Sequence, residues 1–200
     1  IVHYKSPDKL MSLSNSFACS PEVITVANYV NRNQHITCND SLVTTGEIPG
    51  ALTTASSIGP TRDGNMKPDI SASGDHTFSC GVVAWLPGLV SSHYKNLAKG
   101  CYHINGGGTS SASPVVAGIA ALYLEKYPNA TNQDIKRAIT QCAKTDAQTG
   151  NTLPDFHWGY GKANAFHTLK GCPTGIEENE NNTVVELYPN PFSQVATLLV

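Results

Sequence analysis

The segment 105–118 reads NGGGTSSASPVVAG, three glycines and a Thr-Ser-Ser run set directly against an apolar stretch that contains a proline. A turn needs one glycine or two, so three of them beside a small hydroxyl point to close approach of another backbone. Several chemistries combine glycine and small hydroxyls, and each imposes its own spacing. A phosphate loop requires GxxxxGK[ST], and no lysine stands here to reach a phosphate. The nucleophile elbow of esterases requires GxSxG, but the order Gly108-Thr109-Ser110-Ser111-Ala112 lacks the second glycine. A dinucleotide fingerprint requires GxGxxG after a strand, with an acidic residue about twenty positions later, and it is missing too. The pattern does allow a serine at the mouth of a buried helix. Its own N–H would be one of the unpaired donors of the first turn, above the positive end of the helix dipole, and both suit an oxyanion. Thr109, Ser110 or Ser111 would serve as readily as a plain helix cap.

The elements that must hold this segment can be read on either side of it. Residues 113–126 (SPVVAGIAALYLEK) show no polar face before Glu125 and are long for a strand, which predicts a buried helix with Pro114 in its first turn. Residues 132–143 (NQDIKRAITQCA) place Ile135, Ala138, Ile139 and Cys142 at helical spacing, with Thr131 or Asn132 as cap and Asp134 in the first turn. A short helix is expected over 162–169. Upstream, residues 23–29 (VITVANY) read as a strand buried on both faces, and a short strand is expected around Ile70. Residues 80–85 (CGVVAW) read as a further strand.

Of the 200 residues, 40 % are apolar and 14 % charged, with 17 glycines and 12 prolines, the balance of a turn-rich globular chain. That length suits one domain, or one domain and part of another. A net charge of −2 with scattered Lys and Arg offers no footprint for nucleic acid or an anionic membrane. No apolar run nears the roughly 18 to 20 residues of a transmembrane helix. Ile1, with no Met and no signal-type flank, and the closing LLV both read as interior to a longer chain. The six cysteines, Cys19, Cys38, Cys80, Cys101, Cys142 and Cys172, include no CxxC pair, which argues against a zinc cluster. Their even count fits disulfides in an exported protein, with the pairing open, and small buried thiols remain the other reading.

Gly108-Thr109-Ser110-Ser111-Ala112-Ser113-Pro114, continued by Val116-Ala117-Gly118, resembles the nucleophile motif GTSxAxPxVAG of the subtilisin-like serine proteases, or subtilases. Four further segments are similar to family segments in the same order. They are 21–26, the stretch 56–74 (SSIGPTRDGNMKPDISASG), 127–139, and 157–165 (HWGYGKANA), so that the resemblance covers about 21–169. Two positions depart from the pattern, Ser73 in place of proline and Val115 in place of a histidine found in some members. The resemblance implies an α/β fold, the subtilisin-like three-layer arrangement with a mainly parallel sheet, of which residues 1–172 would be the C-terminal part. It implies that Ser110 is the nucleophile of an Asp-His-Ser triad and that Thr109 supports the oxyanion hole.

The family order is Asp, His, Ser, and neither the aspartate motif nor HGTxVAG occurs upstream of Ser110. His3, His35, His76, His93 and His103 lack that context, and His157 and His167 follow the serine, so all seven are expected in surface or structural roles. Asn15 and Asn28 lack the Asn-x-Gly setting of the family's oxyanion asparagine. The segment is therefore expected to be inactive alone, its partners lying further upstream. The implied substrates are proteins or peptides. No cofactor is expected; calcium often supports the family's fold, but no carboxylate cluster marks a site.

Residues 173–183 change to acidic and amide types (IEENENNT over 176–183), a linker composition. Beyond them, ELYPNPFSQVATLLV (186–200) resembles the start of the type A sorting domain of the type IX secretion system of Bacteroidetes. That implies a β-sandwich beginning at about 184, secretion machinery as a partner, and a secreted or cell-surface bacterial protein. A subtilase-fold binding or surface module without catalysis is the alternative to an endopeptidase.

Overall fold

The computed structural model describes residues 17–172, 186–188 and 197–199. Strand β1 (Val26–Val30) is followed by a small hairpin, β2 (Gln34–Ile36) and β3 (Leu42–Thr44), and then by β4 (Ile70–Asp75). β1 and β4 pair in parallel, with Val26 opposite Ile70 and Tyr29 opposite Ser73. The strand expected around Ile70 therefore forms, and the one expected over 23–29 starts three residues later and ends one later. A run of β-branched and small residues suits a strand covered on both faces; Val26, Ala27, Asn28 and Val30 are all buried.

The second hairpin, β5 (Thr77–Cys80) with β6 (His103–Gly106), is separated by helix α1 (Leu86–Ser92) and a 3-10 turn at Tyr94–Asn96. Here the strand expected over 80–85 is corrected. Only Cys80 belongs to a strand, because its pairing with His103 is the last rung of the ladder. The Trp85 N–H then closes a turn on the Val82 carbonyl at 2.9 Å. Pro87 sits in the first turn of α1, where its missing N–H costs little. Apolar and β-branched composition could not distinguish this exposed turn, in which Val83 and Trp85 are 77 % and 67 % exposed, from a strand.

Three helices complete the layer over the parallel pair: α2 (Thr109–Lys126), α3 (Asn132–Gln141) and α4 (Ala165–Lys170). α2 begins four residues before the expected Ser113, since Gly108 at φ 99° makes the turn into it, and Pro114 falls inside the helix. It is also less buried than expected. Ala112, Val116 and Ile119 form one buried stripe, while Val115, Leu122 and Leu124 are 41 %, 47 % and 38 % exposed. α3 opens on a capping box in which Thr131 Oγ1 accepts the Asp134 N–H and the Asp134 carboxylate accepts the Thr131 N–H. α4 starts at Ala165, not 162, because Asn164 is its cap and the Lys162 backbone pairs with Lys144 and Ser71. Val26, Ile70, Ala72, Ala112, Val116, Ile119 and Ile139 form the core.

Two excursions, 31–50 and 76–106, leave the parallel pair and meet each other. Cys38 is joined to Cys101 by a disulfide, the Cys38 N–H bonds the Leu97 carbonyl at 3.0 Å, and the Lys99 N–H bonds the Ile36 carbonyl at 2.9 Å. A second disulfide, Cys142–Cys172, ties the end of α3 to the chain beyond α4. Disulfides thus pair four of the six cysteines. In the stretch 184–200, β7 (Glu186–Tyr188) and β8 (Thr197–Leu199) form an antiparallel pair; the remainder of the expected sandwich, and the linker 173–183, lie outside the described residues.

A buried cluster fixes the start of both central strands. Asp69 Oδ2 accepts from Lys67 Nζ at 2.6 Å and from the Thr25 N–H at 2.7 Å, while Oδ1 accepts from Lys136 Nζ of α3 at 2.7 Å. Lys67 also donates to the Val23 carbonyl at 2.6 Å. Burial pulls the Lys67 ammonium below the usual lysine range, against the opposing pull of Asp69. Substituting Asp69→Asn keeps the shape but leaves two lysines around a neutral amide. It is expected to destabilise the chain by about 3–5 kcal/mol, read as a lowered urea midpoint; an unchanged midpoint would show that the cluster contributes nothing.

Candidate active site at the start of helix α2

The hairpin strand β6 ends at Gly106, and two further glycines carry the chain into α2. The carbonyl of Gly108 accepts the N–H groups of Ser111 and Ala112 at 2.9 and 3.2 Å. Gly108 has no side chain with which to cap the helix, and no acidic residue stands in the first turn. Among the described residues, no hydrogen bond engages the Thr109 or Ser110 N–H. The donors of a first turn otherwise go to caps, water or ligands.

Three serines lie in this turn, and the structure separates them. Ser113 Oγ donates to the Thr109 carbonyl at 2.9 Å, a back-bond that ties it to its own helix. Ser111 is half-buried. Ser110 is exposed, and its hydroxyl has no hydrogen-bond partner among the described residues. Pro114 acts on the same residue. An N–H at position 114 would bond the Ser110 carbonyl in a regular helix, so the proline removes that rung.

The turn is seated on the carboxyl end of β4. A Cβ on Gly74 would lie 2.4 Å from Asn28 Oδ1 and 2.6 Å from both Ala112 N and Gly108 O, and one on Gly107 would lie 2.2 Å from Asp75 Oδ1. Only glycine permits these approaches. Gly74 is a site-building residue that sequence reasoning passed over; its signal was its place at the end of SASG, one of the segments that carry the resemblance. Asn28 is wholly buried beneath this contact. Its Nδ2 donates to Thr53 Oγ1 at 3.3 Å and its Oδ1 has no partner.

Four of the six described histidines are engaged elsewhere. His35 Nε2 meets the Lys95 carbonyl at 2.9 Å, His93 Nδ1 meets Ser92 Oγ at 2.8 Å, His167 Nδ1 meets Asn164, and His76 meets Glu47 and Asn105. His103 and His157 are exposed, and His3 lies outside the described residues. None of those described is hydrogen-bonded to Ser110. Among the described residues, no group of three or more His, Cys, Asp or Glu side chains could hold a metal ion. No described helix is long and apolar enough to cross a membrane.

The family model of the subtilases, peptidase S8, matches residues 6–161. An uncharacterized protein of Aquifex aeolicus, aq_aa18, is 36 % identical over 99 residues, which are 48 % of this chain and 42 % of that protein. The serine protease AprX of Bacillus subtilis is 31 % identical over 116 residues, 58 % of this chain and 25 % of AprX. The matched segments thus span less than half the length of either curated relative. Among solved structures, fervidolysin of Fervidobacterium pennivorans, a keratinolytic enzyme related to subtilisin, aligns with a TM-score of 0.49 and 24 % identity, over 79 % of this chain and 20 % of that one. The CspB protease of Clostridium perfringens aligns with a TM-score of 0.47 and 24 % identity, over 75 % and 27 %.

The two kinds of glycine in this region are expected to respond oppositely to a methyl group. Gly74→Ala forces backbone apart and is expected to cost about 2–3 kcal/mol. Gly118, inside α2 with open space around the position of a Cβ, is expected to gain about 0.5–1 kcal/mol as alanine. Thermal melts of the two variants against the parent chain check the sign of each; a stabilised Gly74→Ala would refute the seating of the turn on β4.

Proposed function

The chain belongs to the subtilase family, and from that premise we propose that it is the C-terminal part of the catalytic domain of an exported serine endopeptidase whose nucleophile is Ser110. One observation carries the reading. An exposed serine with an unengaged hydroxyl stands on the bare N-terminus of an 18-residue helix, inside the segment the family model matches.

The chemistry follows from that position. Ser110 Oγ attacks the carbonyl carbon of a peptide bond, and its proton passes to a histidine from the upstream part of the domain, oriented by an aspartate from the same part. The carbonyl oxygen becomes an oxyanion. The Ser110 N–H and the α2 dipole stabilise it, with Thr109 in support and an upstream asparagine as side-chain donor. Collapse of the tetrahedral intermediate expels the amine, which takes the proton from the histidine. Water then releases the acyl group by the same route in reverse. The substrates are proteins or peptides that enter as extended backbone, for which the glycines 106–108 clear room.

Export is supported by the two disulfides, which persist in oxidising compartments. We assign 184–200 to the start of a type IX secretion sorting domain on the LYPNP motif, and the antiparallel pair β7–β8 is compatible with a β module there.

Removing the serine of such a triad costs on the order of 10⁶ in kcat, the figure established for subtilisin itself. In the full-length protein, Ser110→Ala is therefore expected to abolish peptidase activity, and a fluorophosphonate probe is expected to leave its adduct on Ser110. The 200-residue chain alone is expected to cleave nothing. An adduct on Ser111 or Ser113 would reject Ser110 as nucleophile; no adduct and no cleavage by the full-length protein would favour a non-catalytic binding module.

A further inference from the structure

The hairpin β5–β6 joins the glycines before Ser110 to an exposed apolar patch. Gly81, the residue after β5, donates its N–H to the Tyr102 carbonyl at 2.8 Å, and the chain then turns through 82–85 into α1. A Cβ on Gly81 would lie 2.5 Å from Leu86 Cδ2 and 3.3 Å from Ile104 Cδ1, so Leu86 is seated against the hairpin, where it is buried. That plug fixes the turn and leaves its other large side chains outside. Val82, Val83 and Trp85 are 51 %, 77 % and 67 % exposed, and Tyr102 on the adjoining strand end is 68 % exposed. Single apolar residues on a surface need no explanation, but a contiguous set with two aromatics marks an interaction site. Its surroundings narrow the occupant. The sequence holds no Asp or Glu over 76–124, and Lys99 is paired with Asp40 at 2.8 Å. Lys95 is then the lysine of 76–106 without an ion pair among the described residues, too little to select an anionic lipid surface. An uncharged centre built on Trp and Tyr is the composition of a protein-binding surface.

The patch lies in line with the candidate site. Because 81 and 102 are hydrogen-bonded partners, the alternation of an antiparallel ladder turns the N–H and C=O groups of Phe78 and Cys80 to the outer edge of β5. Among the described residues, no hydrogen bond engages them there. An extended chain leaving the glycines can follow such an edge. The four residues of β5, at about 3.3 Å each, carry it some ~13 Å to Gly81 and the patch. We propose that Val82, Val83, Trp85 and Tyr102 form an exosite for an apolar segment of a polypeptide substrate, about five to eight residues from the bond that is cut. The proposal rests on the reading of Ser110 as nucleophile and adds a substrate class to it: long chains with branched or aromatic side chains at that distance. Contacts so far from the reacting atoms are the same in ground state and transition state. They lower KM and leave kcat alone.

The test uses the full-length protein and internally quenched peptides that share the residues around the scissile bond. One is short; one is extended by about ten residues on each side, with a Leu-Phe-Val cluster about six residues out; one is extended with serines in those places. The parent protein is expected to show a KM about tenfold lower for the long apolar peptide than for the other two, with kcat within about threefold. Trp85→Ser is expected to erase that difference and Trp85→Phe to keep most of it, and the exposed position lets both variants fold. The short peptide, which does not reach the patch, is expected to show no rise in KM. Equal KM values for the two long peptides in the parent, the result if upstream residues cover the patch, would overturn the exosite, as would a loss in Trp85→Ser shared by all three. Binding to phosphatidylcholine vesicles, or a concentration-dependent dimer, that Trp85→Ser abolishes without changing the peptide kinetics would overturn it too. A second readout does not depend on cleavage. Full-length Ser110→Ala is expected to bind a fluorescent form of the long apolar peptide by anisotropy, and the added Trp85→Ser to weaken binding about tenfold; equal binding would overturn the exosite. Failure of the parent protein to form a Ser110 adduct would instead overturn the nucleophile assignment, and the anisotropy would still decide the exosite.

Discussion

The placement of Ser110 depends on the absence of a side chain at Gly74. At that point the carboxyl end of β4 touches the first turn of α2 so closely that backbone atoms of Gly108 and Ala112 occupy the space a Cβ would need. The pairing of β4 with β1 sets the height of the contact, and the Asp69 cluster fixes where both strands begin. Gly107 repeats the condition against Asp75. The first turn of α2 is therefore referenced to the sheet through main-chain contacts at Gly74 and through the Asp75 and Asn28 side chains beside them. Interiors packed to this density pass on displacements instead of absorbing them.

The two excursions build outward from the same frame. Residues 31–50 leave from the end of β1 and 76–106 from the end of β4, next to each other, so the Cys38–Cys101 bond joins segments 63 residues apart in sequence that start as neighbours. Closing a loop of that length removes about 4 kcal/mol of chain entropy from the unfolded state in the entropic account. The lobe so formed leaves Ile36, Leu42, Val82, Val83, Trp85 and Tyr102 exposed, with Leu97 wholly buried as its anchor. α2 is apolar on nearly every side yet buried along one stripe only. A helix with that composition is suited to being covered on more sides than the one stripe buried here.

Much of the site was legible in the residues, and the limits of legibility have physical causes. The Thr-Ser-Ser run against an apolar segment pointed to a helix N-terminus because glycine, hydroxyl and apolar period are local signals. The Thr131–Asp134 capping box and the Ile135–Ile139 stripe were local too, and α3 formed within two residues of its expected end. α2 starts earlier than Pro114 implies, because the proline stands in the second turn and not the first; a proline there is tolerated where one rung can be lost, here at the Ser110 carbonyl. The 80–85 strand was misread because β propensity reports fitness for a half-buried surface, and Val82, Val83 and Trp85 have none. Gly74, the cysteine pairing and the burial of Lys67 depend on contacts between segments distant in the chain, and composition carries no trace of those.

Two helices in this one chain treat their first turns in opposite ways, and the difference bears on the proposed role of α2. α3 satisfies its own first turn: Thr131 and Asp134 exchange hydrogen bonds, and that contact holds the Asp134 carboxyl below the usual range. Its positive end is neutralised from within. α2 is longer by eight residues, as its 18 exceed the 10 of α3, and it has neither a side-chain cap nor a first-turn acid. Leaving a cap out costs about 1 kcal/mol, and the core contacts of Ala112, Val116 and Ile119 offset it. What remains is a set of donors and a dipole end with no internal partner, fixed in place by the sheet. On the proposed reading, an oxygen that becomes negative only in the transition state meets this end with its charge there and not in the ground state, whereas a group charged in both states would gain equally in each; that difference is what lets a helix end lower a barrier and not merely bind.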